Sequence, residues 1–180
     1  MKRNDEDSLG TKQSKEGENA KRYKDEQQLM IQKQYIFGSI FLLDNRLQSI
    51  DFDLLEDMTL KQWFLLIMIK NIDLELPSVQ DVANFIGSTR QNIKKMLDSL
   101  EKLGYVRLEI ARHDRRSYSV TLTDKCYQYF EQHAKAGEEV IDLLFAGISD
   151  KEIECTSNLF NTLFYNIEGM RTDKNEIGNV

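Results

Sequence analysis

The chain has 180 residues, enough for one domain with an extension and for a sizeable buried core. Two cysteines and two histidines exclude a disulfide scaffold and argue against a spaced metal quartet. No apolar run approaches the roughly 20 residues that cross a bilayer, and a net charge of −6, taken alone, argues against a nucleic-acid partner.

In chain order, MKRNDEDSLG lacks the apolar segment of a signal peptide, so a cytoplasmic location is expected. Residues 1–26 carry seven basic and seven acidic side chains with almost nothing apolar, and read as a disordered polar tail or one that frays into the next helix. Residues 27–58 open with a helix predicted from about Gln27 to Ile50. Its stripe is Leu29, Ile36, Ile40, Leu43, Leu47 and Ile50, widened by Phe37 and Phe41. One face is enough for a helix packed only on its own domain, so the added width points to a second partner, such as another subunit.

Residues 59–122 form the central unit. Thr59 is a fitting N-cap for Leu60–Asn71, whose nearly all-round apolar sequence predicts the central helix. Pro77 stops the chain, and Ser78 with Asp81 makes a weak capping box. Val79, Val82, Ala83 and Ile86 share one helical face. Gly87-Ser88 breaks the pattern, and Ile93, Met96, Leu97, Leu100 and Leu103 form a second face that Gly104 ends. Val106, Leu108 and Ile110, then Tyr118, Val120 and Leu122, alternate as strands on either side of Arg112-His113-Asp114-Arg115-Arg116. Two helices with a tight turn and a hairpin with a cationic tip make a winged helix-turn-helix, an architecture that reads duplex DNA.

The distribution of charge points the other way from its total. Residues 88–116 hold eight Lys/Arg against four acids, a local +4 that leaves −10 for the rest. Ordinary solvated surface is the plain alternative. Residues 123–170 follow as two helices, capped by Thr123 and by a Ser149/Glu152 box, the second ending near Glu168. They hold more large apolar side chains than two helices need against one small domain. Residues 171–180 read as a frayed tail. The fold class is therefore mainly α with a small β-hairpin wing: a winged helix-turn-helix domain whose N- and C-terminal helices form a dimerisation bundle.

On the second helix of the motif, Ser88, Gln91, Asn92, Lys94, Lys95 and Asp98 lie opposite the apolar face, counting about 100° per residue. Gln91 and Asn92 are placed for base edges, since either amide can pair with adenine. Ser88, Thr89, Lys94 and Lys95 suit phosphates, and Arg90 flanks the face, within reach of phosphate or guanine. In the wing, Arg115 is assigned to phosphate, Arg116 to the minor groove and Asp114 to holding Arg116, with Arg112 adding charge. Tyr105 and Tyr118 are expected to pack the base of the wing. His113 is read as an exposed loop residue, and His133 as surface or intersubunit contact. Cys126, in the first turn of its helix, reads as a small buried hydrophobe ahead of a thiol activated by the helix dipole.

Together these elements resemble the MarR family (multiple antibiotic resistance regulators) over about residues 27–169. The resemblance is most specific at TLKQWFLLIMI (59–69), GSTRQNIKKMLDSLEKLGYV (87–106) and HDRRSYSVTLTDKC (113–126). It implies a homodimeric regulator, a repressor more often than an activator, on a palindromic operator. It also implies release by a small aromatic or anionic effector in many members, and the pocket is expected near Phe37, Phe41, Trp63 and Tyr127. Other members respond to thiol oxidation, but the first helix has no cysteine, unlike the peroxide-sensing branch. No cofactor, metal or membrane partner is expected. The rival readings are a winged-helix protein-interaction module that does not bind DNA and, weakest, an enzyme: no nucleophile–base pairing or Gly-rich phosphate loop is present.

Overall fold

The structure, a computed structural model, describes residues 6–111 and 114–177, with side chains placed over residues 21–110 and 118–171. Helix α1 spans Glu6–Gln48 and is followed by a 3₁₀ turn at Asp53–Leu55. Then come α2 (Leu60–Asn71), α3 (Val79–Ile86), α4 (Arg90–Lys102), β1 (Val106–Ala111), β2 (Asp114–Leu122), α5 (Asp124–Leu144) and α6 (Asp150–Ile177). The chain divides into two compact units, Met1–Cys126 and Tyr127–Val180.

Each helix of the first unit that follows α1 starts where its sequence supplies a cap. Thr59 and Gln62 form a reciprocal box: the Gln62 amide donates to Thr59 Oγ1 at 3.3 Å, and the Thr59 amide donates to Gln62 Oε1 at 2.8 Å. Ser78 and Asp81 do the same for α3 at 3.1 and 2.8 Å, and the hydroxyl and amide of Ser78 hold the Asp81 carboxyl below its ordinary pKa. Helices α3 and α4 end alike. Gly87 (φ 75°) and Gly104 (φ 83°) take the left-handed conformation, and Ser88 and Tyr105 then donate back to the carbonyls of Ala83 and Leu100, each at 2.9 Å. A side chain at either glycine would strain that turn.

The core of this unit sits under α2. Leu65, Leu66 and Ile69 are buried against Val79, Val82 and Ala83 of α3, Ile93, Leu97 and Leu100 of α4, and Val120 of β2. Helix α2 touches α3, α4 and β2, as its nearly all-round apolar sequence requires. Lys61 Nζ reaches Asp44 Oδ2 of α1 at 3.4 Å. The hairpin pairs antiparallel from Val106↔Leu122 to Ile110↔Tyr118, and its register shifts between Ile110 and Ala111. Pro77–Ser78 adds a short third edge, the Val120 amide donating to the Pro77 carbonyl at 2.9 Å.

Two boundaries differ from expectation. Of the two readings of the polar start, residues 6–26 follow the second and continue α1, because Lys, Glu, Gln and Ala favour helix, and pairs such as Arg22–Glu26 at 3.1 Å add i,i+4 support. Helix α6 likewise runs on to Ile177, past the end expected near Glu168. In the second unit, the Ser149/Glu152 box closes at 3.4 and 2.9 Å. His133 stacks on Tyr129 with ring centres 4.4 Å apart, its Nδ1 3.0 Å from the Tyr129 carbonyl. No helix among the described residues is long and apolar enough to cross a membrane.

Candidate nucleic-acid interface

One open cleft runs between α4 and β2. It is lined by Arg90, Gln91, Lys94, Lys95, Asp98, Ser99 and Lys102 of α4, with Val79 and Tyr118 at its sides. Four cations and one carboxylate thus share one face of a chain whose net charge is −6. The polar face of α4 points outward because Ile93, Leu97 and Leu100 are fully buried on the other side.

Thr89 caps α4, its hydroxyl oxygen accepting the Asn92 amide at 3.2 Å. The Asn92 side-chain amide donates to Ser88 Oγ at 3.1 Å. Both hydroxyls therefore serve the helix as acceptors while their own hydrogens remain able to donate, as a phosphate contact requires. Asn92 keeps one amide hydrogen and its carbonyl oxygen, the pair that an adenine edge accepts from and donates to. Gln91 and Lys95 are exposed at the cleft. Lys94 is placed differently. Its ammonium pairs with Asp98 Oδ1 and lies 5.0 Å from the centre of the Tyr118 ring.

The wing is fastened at its base. Glu101 Oε1 accepts the Leu108 amide at 2.8 Å, which occupies a backbone donor on the outer edge of β1. Lys125 Nζ donates to the Leu103 carbonyl at 2.7 Å and lies 4.4 Å from the Tyr105 ring centre, so a cation closes the C-terminus of α4. Tyr105 is buried, whereas Tyr118 lines the cleft. At the tip, Ala111 and Asp114 pair across the hairpin. Arg112 and His113, and the side chains of Asp114, Arg115 and Arg116, lie outside the described residues.

The residues expected around an effector lie on three helices. Phe37 and Phe41 meet edge to face on α1, with ring centres 5.2 Å apart, and both are exposed. Trp63 is half-buried on α2, and Tyr127 is exposed on α5 in the second unit. Cys126 is fully buried, and burial pushes its thiol up to about 11, against a smaller lowering by the charge of Lys70. The helix dipole does not prevail there. Sequence reasoning misses Lys102 and Tyr118 as members of the cleft. Lys102 is recoverable from the sequence, lying two turns beyond Lys95 on the same face. Tyr118 is not, because its place depends on how the hairpin folds over α4.

Residues 56–117 match the model of the MarR family. An uncharacterised HTH-type transcriptional regulator of Bacillus subtilis (strain 168), YfiV, is 34% identical over 74 residues, 41% of this chain and 45% of that protein. The chain thus spans less than half the length of that curated relative. Among solved structures, a MarR protein from Peptoclostridium difficile superposes with a TM-score of 0.64 at 22% identity, over 74% of this chain and 88% of the other. The MarR-family regulator Sco3205 of Streptomyces coelicolor, solved in complex with DNA, gives 0.64 at 18% identity, over 76% and 91%. Residues 56–117 thus carry the sequence pattern of the MarR family, and the chain shares the fold of solved MarR-family structures.

Proposed function

We propose that the protein is a transcriptional regulator that binds a palindromic DNA operator as a homodimer. The start of α4 enters the major groove and the wing tip reaches the minor groove of the same half-site. The observation that carries this reading is the cationic cleft between α4 and β2 in an otherwise acidic chain. Such a charge distribution attracts phosphate at one face and repels it elsewhere. Gln91 and Asn92 read bases, while Ser88, Thr89, Arg90, Lys95 and Lys102 hold the backbone. Sco3205 in complex with DNA supports the same use of the fold.

A dimer places two such faces on one side of a duplex, with half-site centres about 10 bp apart. Support for it comes from α1, where Leu42 and Leu43 are exposed by 57% and 54%, and from α6, where Phe164 and Tyr165 are exposed by 65% and 80%. Apolar side chains at that density are covered in working proteins. Repression is the favoured output. An aromatic or anionic effector near Phe37, Phe41, Trp63 and Tyr127 would release the DNA.

Selection of bound duplexes from a random DNA pool tests the reading. An enriched palindrome with adenines in each half-site is the expected result. A pool that stays random while the protein captures a polypeptide would favour an interaction module instead.

A further inference from the structure

We propose that Lys94 is not a phosphate ligand but, with Asp98 and Tyr118, a strut that sets the position of the wing against α4. This rests on the DNA-binding reading above and assigns three residues of its site a different task.

Lys94 is placed for contact with phosphate by its position on the polar face of α4, yet its ammonium is engaged within the protein. It pairs with Asp98 one turn later and lies 5.0 Å from the Tyr118 ring centre. The Lys94 side chain is 34% exposed, against the open position of Lys95. Lysine four residues before the acid is the weaker orientation of a helical ion pair, so the pair is not explained by helix stability. Nor does it serve phosphate attraction, because a carboxylate on that face cancels the cation beside it.

The position of Tyr118 gives the pair its use. Tyr118 faces Ile110 in the last regular rung of the hairpin, directly before the register shift between Ile110 and Ala111. Beyond that rung the strands lead only to the tip at Ala111↔Asp114. A cation held against the ring therefore fixes the hairpin to α4 where the tip departs from regular pairing. Asp98 keeps the ammonium on the ring side, and the ring offers its negative face. The distance between the base-reading residues of α4 and the wing tip is set through this contact.

The test uses the full chain in two measurements. Amide hydrogen exchange of the free protein is followed in Tyr118→Leu and in the double variant Lys94→Met/Asp98→Leu, which leaves the net charge of the face unchanged. Both should speed exchange in β1 and β2 while α4 stays protected, and Tyr118→Phe, which keeps the ring, should restore protection. Binding to the selected duplex is then followed against salt concentration. The double variant should bind about tenfold more weakly with an unchanged salt slope, whereas Lys95→Met should lower the slope by about 1 per protomer. Hairpin exchange equal to wild type in both variants, or a slope in the double variant that falls as in Lys95→Met, overturns the strut. If the wild-type protein binds no duplex, the DNA-binding reading fails, and the exchange measurement alone decides the strut.

Discussion

The hydroxyl of Tyr105 donates to the Glu56 carboxylate at 3.2 Å, joining the residue just after the α4 cap to one that lies 49 positions earlier. Glu56 holds a positive φ of 48° without being glycine, a conformation that costs on the order of 1–3 kcal/mol and persists only where its surroundings impose it. The bond fastens the turn before α2 to the base of the wing. Burial first, then the charge of Glu56 and the bond to it, push the Tyr105 phenol up to about 12.

Tyr105→Phe removes the bond that holds the Glu56 side chain, so it should cost about 1–2 kcal/mol, read as a lower midpoint in denaturant. The alkaline limb supplies a second readout. Tyr105 and Cys126 both have raised folded-state values, about 12 and about 11, against ordinary ones near 10 and 9. The folded protein keeps protons that the unfolded chain releases. Their contribution is therefore complete below pH 9 and is lost as pH rises through 11 to 12, on the order of 2 kcal/mol for each group. Tyr105→Phe should flatten the upper part of that loss and Cys126→Ser the lower part. A stability profile in Tyr105→Phe as steep above pH 10 as wild type would contradict the assignment.

Cys126 also bears on regulation. A thiol fully buried and pushed up to about 11 is almost entirely protonated at neutral pH, and the thiolate is the reactive form. Mild peroxide should leave DNA binding by the wild-type protein intact, and Cys126→Ser should behave identically. Loss of binding in the wild type that Cys126→Ser abolishes would show that this thiol opens to oxidant.

Much of this architecture is legible in the sequence wherever a local signal fixes it. Thr59, Ser78 and Ser149 each mark a helix start, and Gly87 and Gly104 each mark an end, because capping depends on residues within four positions. Helix α2 is legible from its all-round apolarity. The polar start of α1 is not, since charge-balanced helix formers look the same in a tail and in an exposed helix. The Glu56–Tyr105 bond and the Lys94–Tyr118 contact join residues 49 and 24 positions apart, and no periodicity reports such a meeting. Lys94 illustrates the consequence. Its helical angle is right for phosphate, but the ring across the cleft is supplied by a different element.

Assembly gives a separate test. Helices α1 and α6 both carry large apolar side chains open to solvent, including Phe37, Phe41, Phe164 and Met170. The full-length chain should be a dimer at micromolar concentration by light scattering. Deleting residues 149–180 removes one of these surfaces and should give a monomer at best, and more often an aggregate. A stable full-length monomer would remove the dimer and, with it, the palindromic operator.

The sharpest expectation concerns Asp114 and Arg116 in the wing. A narrow A·T-rich minor groove concentrates negative potential and attracts a guanidinium. Ordering a long arginine side chain at a hairpin tip costs rotamer freedom, which reduces that gain. A carboxylate two residues earlier can hold the guanidinium through a charge-assisted pair before DNA arrives. Asp114 pairs with Ala111 across the tip, so its backbone position is set by the hairpin. An exposed ion pair with no part in binding would contribute only about 0–1 kcal/mol to folding. Arg116→Ala should leave the dimer folded and weaken operator binding by about 1–3 kcal/mol, the scale of a specific contact. Asp114→Ala should weaken binding as well, although it removes a negative charge that would face phosphate. The sign decides between the two accounts. Tighter binding by Asp114→Ala, measured at fixed salt on the selected duplex, would mean that charge summation governs the wing and that Asp114 does not organise Arg116.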